Sequence, residues 1–382
     1  MENLHRQIIG SSGTGKSTLA KSLALDHVDE PLLFVDPLGH NALDFIDKLP
    51  LRVANRFLYI DLGDPNYSVG FNAIHEPQHL TPAVKAIWKD SWGPRLEIRF
   101  YYAAAAVYEA AGTFIDIHRM LTDDDRRADI LRRVKNPETR RFWLDTYPSY
   151  TDRYNTEAND AVLNKVGQFI ASDYIRPALS VRNPPLSIRL LLKHKYITVL
   201  NLNSPAVGEE HAYLYASLFL SRFKTALMQN PTPCYVFLDE FQTYAAHHVP
   251  FFSSVLRNFG LSLTLSHQLL AQINEETRAA ILTNMAIKTV FRTSPEDAAI
   301  LAPHFNRDPQ EDFSEIFKSQ PDFHARQSDR GIVSQITTAS LPIIKSHRAT
   351  LLAESRARFA KPILPPAASS SEPRYRSRSA RA

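Results

Sequence analysis

Residues 10 to 18 read Gly10-Ser11-Ser12-Gly13-Thr14-Gly15-Lys16-Ser17-Thr18, and few nine-residue strings constrain a fold as tightly. The string fits G-x-x-x-x-G-K-[ST]. A loop that wraps a phosphate with its backbone N–H groups needs glycines, for close approach and for positive φ. The helix after it then points its N-terminus at the anion. Lys16 supplies a point charge to the β- and γ-phosphates, and the Ser17 hydroxyl is placed to coordinate Mg²⁺. The flanks agree: an apolar run, Gln7 to Ile9, precedes the loop, and a helix-like stretch, Thr18 to Leu25, follows it.

A loop of this kind belongs at the end of a buried strand, and the chain supplies more such strands. Leu32 to Val35 stops at Asp36, Ile197 to Leu200 at Asn201, and Tyr235 to Leu238 at Asp239. Leu261 to Leu265 stops at Ser266, and Ile287 to Phe291 at Arg292. Apolar runs without alternation suit strands covered on both faces, which predicts an α/β fold with a mostly parallel sheet. Polar residues at the C-terminal ends of such strands lie where these sheets bind ligands.

From about 76 to 190 the texture changes to alanine-rich and charged helical stretches. These are Glu97 to Ala111, Asp123 to Val134, Glu138 to Thr146 and Glu157 to Ala171, punctuated by Pro94, Pro137, Pro148 and Pro177. This reads as an all-helical insertion. The expected organisation is a first core part over 1–75, the insertion over 76–190, a second core part over 191–345 and a C-terminal extension over 346–382. The extension should be disordered from about 362, where Pro, Ala, Ser and Arg dominate.

Composition narrows the setting. With 44% apolar and 22% charged residues the chain is an ordinary folded protein. The net charge of +4, from 44 basic and 40 acidic residues, is too mild to argue for nucleic acid. Part of it sits in the tail, on Arg374, Arg376, Arg378 and Arg381. One cysteine, Cys234, allows no internal disulfide, which fits a reducing cytoplasm. Met1 to Arg6 has no apolar region of the signal-peptide kind. The longest apolar stretch, Tyr101 to Ala111, carries Glu109 and falls short of the roughly 18 residues of a membrane span. A soluble, cytoplasmic protein is expected.

A phosphate loop with Mg²⁺ also needs a carboxylate on the far side and a base for water. Asp239 and Glu240, at the end of Tyr235 to Leu238, offer both: Asp239 for the Mg²⁺ shell through water, Glu240 to polarise the attacking water. Gln268, past the next apolar run, presents an uncharged amide able to touch the γ-phosphate and that water. Arg257, 11 residues earlier, is a candidate arginine finger aimed across a subunit boundary, and Arg292 is a second candidate, in cis or in trans. His247-His248 looks like a metal pair, but neighbouring helical residues face different ways and no partner motif accompanies them, so a loop or surface position is expected. Asp36 is explained equally by a role near the site and by an Asp-Pro turn.

In this order, the motifs resemble the ATPases of conjugative DNA transfer, the type IV secretion coupling proteins, within the wider FtsK/HerA class of DNA-pumping hexamers. The resemblance runs from about residue 4 to 345. Its residues are the loop, Val35-Asp36-Pro37-Leu38-Gly39-His40, Tyr59-Ile60-Asp61-Leu62-Gly63-Asp64 and Gly70-Phe71-Asn72. Further along are Asp239-Glu240-Phe241-Gln242, Arg257 through Gln268, and Asn284 through Ala298. His40 and Asn41 stand where the family commonly has an acidic residue.

The resemblance implies a RecA-like P-loop NTPase core, ATP and Mg²⁺ at the interfaces of a hexameric ring, and DNA through the pore. It also implies a relaxase or secretion-channel component as partner. Membrane-bound coupling proteins carry transmembrane helices before the loop and HerA-type pumps a small barrel; with the loop this close to Met1, neither is expected here. A protein-secretion or remodelling ATPase of the same fold, and a nucleotide-gated docking module, remain open. Lys16, Asp239 and Glu240 speak against the module.

Overall fold

The computed structural model describes residues 4–185, 187–305, 312–339 and 345–363. Its centre is a nine-stranded sheet in the order β10-β9-β8-β1-β7-β6-β2-β5-β3. The strands are β1 (Arg6–Ile9), β2 (Leu32–Asp36), β3 (Phe57–Asp61), β5 (Ile197–Asn201), β6 (Cys234–Leu238), β7 (Leu261–His267), β8 (Ile287–Val290), β9 (His324–Asp329) and β10 (Ile332–Thr337). From β8 across to β3 every pairing is parallel, and β9 and β10 add an antiparallel edge. A second, two-stranded sheet pairs β4 (Tyr67–Val69) with β11 (Ala360–Pro362).

Every residue of β2, β5, β7 and β8 is buried, as continuous apolar strands in a covered parallel sheet should be. Helix α1 (Lys16–Leu25) follows the loop after β1, and α2 (His40–Asp47) follows β2. Both start at a glycine in the left-handed region, Gly15 at φ 109° and Gly39 at φ 91°. Pairings such as Ile9 with His267 and Leu238 with Leu265 bring the C-terminal ends of β1, β6 and β7 level. The loops leaving those ends therefore share one edge, with the loop after β1 near its middle.

Among the described residues, no strand lies between Val69 and Ile197. The helices there carry local start signals. Pro77 and Pro94 open theirs at a first-turn position, Thr113 and Asp116 form a capping box, and Asp123, Asn136 and Thr151 accept N-cap hydrogen bonds. Ala103 to Ala106 are buried and let neighbouring helices approach closely. Arg99, 2% exposed, pairs with no carboxylate among the described residues: its guanidinium lies 4.4 Å from the Tyr147 ring centre and donates to Asn155 Oδ1 at 2.8 Å. The block shares one apolar core with the sheet, joining Phe100 and Val162 to Leu200 and Leu263.

The end of the chain folds back on its beginning. Helix Arg348–Phe359 packs on β3, burying Leu351, and Ser355 Oγ accepts the Tyr59 N–H at 2.9 Å. Only residues up to 363 are described, so the tail expected to be disordered lies outside them, apart from its first two residues. No described helix is long and apolar enough to cross a membrane.

Candidate functional site

The glycines of the loop are needed for distinct reasons. Gly13 and Gly15 sit at φ 78° and 109°, where a side chain is strained. A Cβ on Gly10 would lie 2.6 Å from Phe291 Cβ, so the loop could not approach β8 so closely with any other residue. The loop is tied to its neighbour strand by Ser11 N–H donating to Arg292 O at 2.7 Å. Ser11 O accepts from Thr14 Oγ1 at 2.8 Å and from Lys16 Nζ at 2.9 Å. Ser12 and Gly13 are exposed, and Thr18 lies half-buried in the first turn of α1. Burial lowers the Lys16 ammonium's pKa, opposed by the carboxylates of Glu240 and Asp239.

Those carboxylates come from the end of β6. Asp239 is 2% exposed, and its Oδ2 accepts from Ser17 Oγ at 3.2 Å and Asn41 Nδ2 at 2.7 Å. Its Oδ1 accepts no hydrogen bond of ordinary geometry among the described residues. Burial pushes the Asp239 carboxyl up to about 6; the nearby Asp36 and Glu240 add to this, and the Ser266 and Ser17 hydroxyls oppose it. Glu240 has φ 44°, rare for a residue with a side chain. Gln268 Nε2 donates to Glu240 Oε1 at 3.0 Å and Gln242 Nε2 to Oε2 at 2.8 Å. Beside this carboxylate opens a cavity of about 210 Å³, bordered by Gln242, Tyr244, Gln268 and Gln272, with room for several waters.

Asn41 and Gln242 belong to motifs quoted from the sequence, but the sequence assigned neither a role at the site. Asn41 is aimed at Asp239 by Asp36, whose two oxygens accept the N–H groups of Leu38 at 2.9 Å and Ala42 at 2.8 Å. Asp36 thus fixes the turn into α2 and acts on the site through it. Lys21 Nζ donates to Asn41 Oδ1 at 3.0 Å and pairs with Asp44, which fixes the Asn41 amide with its nitrogen toward Asp239.

The structure brings Lys16, Ser17, Asp239, Glu240 and Gln268 together and leaves Arg257 out. Arg257 is exposed on the short turn Leu256–Phe259 before β7, near His5, at the sheet edge opposite the loop. Arg292 lies in cis beside the loop, its guanidinium 2.8 Å from Asp322. The loop or surface position expected for His247-His248 is corrected. The rings lie 3.9 Å apart, His248 is 5% exposed, and the pair packs between Tyr213 and Phe252. A short 3-10 turn, not a regular α-helix, brings the adjacent rings together. Burial lowers the pKa of both, His247 to about 4, so they pack as neutral rings.

The buried Asp239 makes a stability prediction. Its pKa is raised in the folded state from an ordinary 3.8 to about 6. Its contribution therefore favours the fold below about pH 4 and is lost as pH rises through 6. Asp239→Asn should raise the stability of the ligand-free protein at pH 8 by about 1–3 kcal/mol, and by about half as much at pH 5. Thermal melts at the two pH values check this; an equal gap at both contradicts it.

No protein-family model and no curated protein matches the sequence. Solved structures do match. The bacterial conjugative coupling protein TrwB in its unbound monoclinic form superposes with a TM-score of 0.63 at 15% identity, covering 91% of this chain and 86% of that one. The complex of plasmid coupling protein TrwB with ADP and Mg²⁺ gives 0.64 at 14%, covering 91% and 88%. VirB4 of Thermoanaerobacter pseudethanolicus gives 0.56 at 13%, covering 88% and 90%. With its phosphate-loop pattern on β1 and its strand order, the chain has the α/β P-loop fold of these proteins.

Proposed function

We propose that the chain is an ATP-hydrolysing motor subunit that acts on DNA as part of a homo-oligomeric, hexameric ring. One observation carries the enzymatic part. Two elements 222 positions apart, Ser17 and Asp239, meet within hydrogen-bonding distance, with Glu240 and Gln268 beside them. The residues fit a Mg-nucleotide. Gly10 to Thr18 form a tight loop in which a Cβ at Gly10 would collide with Phe291 and one at Gly15 with Thr338, and the buried Asp239 Oδ1 accepts no hydrogen bond of ordinary geometry among the described residues.

Bound MgATP supplies the phosphoanhydride bond and the metal charge. Ser12, Gly13, Thr14, Gly15 and Thr18 would hold its phosphates with backbone N–H groups and the dipole of α1, while Gly10 and Ser11, whose N–H is tied to Arg292 O, would shape the turn around them. Lys16 would leave Ser11 O to neutralise phosphate charge, and Ser17 and Asp239 would hold Mg²⁺. Glu240 would accept a proton from water in the adjoining cavity, with Gln268 orienting both.

The polymer is inferred from the order of motifs and from the likeness to TrwB, which is described as a conjugative coupling protein. ATP hydrolysis measured with and without single- and double-stranded DNA tests it. The expected result is a several-fold rise with one of them. A rate that DNA leaves unchanged removes DNA as the moving polymer and keeps the ATPase.

A further inference from the structure

The wall of the loop opposite Asp239 comes from the end of the chain. Phe323 lies in the turn entering β9, and its N–H donates to Thr14 O at 2.8 Å. Its carbonyl accepts from Thr338 N–H, also at 2.8 Å, at the exit of β10. The residue is therefore pinned to the loop on one side and to the edge hairpin on the other. A Cβ on Gly15 would lie 3.0 Å from Phe323 Cδ1, so the ring rests against the loop backbone. Behind it Phe291 is fully buried, its Cε1 3.2 Å from the same point.

Two features of Phe323 are not explained by packing. Its φ is 63°, a conformation that costs a bulky residue energy and that glycine or asparagine would adopt more easily. The ring that this backbone holds in place is 44% exposed, next to a loop of glycines and hydroxyls. A strained backbone over-determined by two hydrogen bonds, displaying a half-bare aromatic ring, is a pre-organised surface. The phosphates of a nucleotide in the loop leave its base close by, and a base is a flat apolar group that stacks on aromatic rings.

We propose that Phe323 is the shelf on which the base of the bound nucleotide stacks. The proposal rests on the nucleotide reading above. It adds that the antiparallel edge β9-β10, far along the chain from the loop motif, completes the site on its base side. The backbone N–H that holds the turn to Thr14 belongs to any residue at 323, so a side-chain change there removes the shelf and keeps the tether.

The test is a calorimetric titration of wild type, Phe323→Ala and Phe323→Trp with ATP and with inorganic tripolyphosphate, both with Mg²⁺. Phe323→Ala should lose about tenfold in affinity for ATP and nothing for tripolyphosphate, which has no base. Phe323→Trp should keep ATP affinity, and its added indole fluorescence should change with ATP and not with tripolyphosphate. The native Trp88, Trp92 and Trp143 all lie in the helical block, so they give a constant background. ATP affinity unchanged in Phe323→Ala, or equal losses for both ligands, overturns the shelf and leaves the nucleotide reading standing. Wild-type protein that binds neither ligand overturns the nucleotide reading, and the shelf with it.

Discussion

Glu240→Gln is expected to bind ATP as tightly as the wild type and to hydrolyse it about 10² to 10⁴ times more slowly, the usual contribution of a positioned general base. The substitution conserves shape and removes the ability to take a proton. The contacts around it can re-form, because Gln268 and Gln242, which now donate to Glu240 Oε1 and Oε2, are amides that can turn oxygen for nitrogen. Lys16→Ala should behave in the opposite way and lose binding itself, because it removes the charge that faces the phosphates. Equilibrium binding and single-turnover hydrolysis on both variants separate the two roles. Hydrolysis by Glu240→Gln at the wild-type rate would take the base assignment away from Glu240.

The charged groups of the site are held by the protein's own polar groups. Lys16 donates to a carbonyl of its own loop, and both oxygens of Glu240 are taken by amides. Such contacts must be exchanged when a substrate enters, and apo geometry is commonly looser than working geometry. The strain at Glu240, of order 1–3 kcal/mol for φ in the left-handed region, holds the carboxylate toward the cavity. Asp239 makes a similar point: a buried carboxylate that costs stability above pH 6 is tolerable where a cation is to be held.

The parts of the fold legible in the sequence were those with a local signal. β1, β2 and β5 to β8 are buried on both faces, so their apolar runs stand out from the chain around them. β3 is less legible because its short run, Phe57 to Ile60, passes through Asp61 straight into a turn-rich stretch. β9 and β10 escaped because an edge hairpin is half-exposed: His-Ala-Arg-Gln-Ser-Asp carries one apolar residue in six. Helix Arg348–Phe359 is held by contacts with β3 nearly 300 positions earlier, which no local pattern records. The same holds at the site. The loop and the Asp239-Glu240 pair are short strings, whereas Asn41 reaches Asp239 across 198 positions and Phe323 reaches Thr14 from the far end of the chain. His247 and His248 carry no local sign of burial: their rings are covered by Tyr213 and Phe252, which lie 34 and four positions away.

Arg257→Ala should leave ATP affinity nearly intact and reduce turnover by about 10³ to 10⁵, the contribution of an arginine finger. The fold makes this a claim about neighbours. β7 is seven residues long, so at about 3.3 Å per residue Arg257 and the Gln268 end lie roughly 23 Å apart. Arg257 cannot reach the loop of its own subunit, and its exposed side chain is free to meet that of another. Arg292 lies beside the loop in cis, but Asp322 holds its guanidinium, so it supplies no free charge in this arrangement. A site completed in trans makes specific activity rise with protein concentration. It also makes two dead variants rescue each other: Arg257→Ala subunits keep Lys16, Lys16→Ala subunits keep Arg257, and a mixed ring contains interfaces with both. A fully active monomer at high dilution contradicts the shared site. Normal turnover by Arg257→Ala moves the role to Arg292, whose release from Asp322 would then have to accompany nucleotide binding.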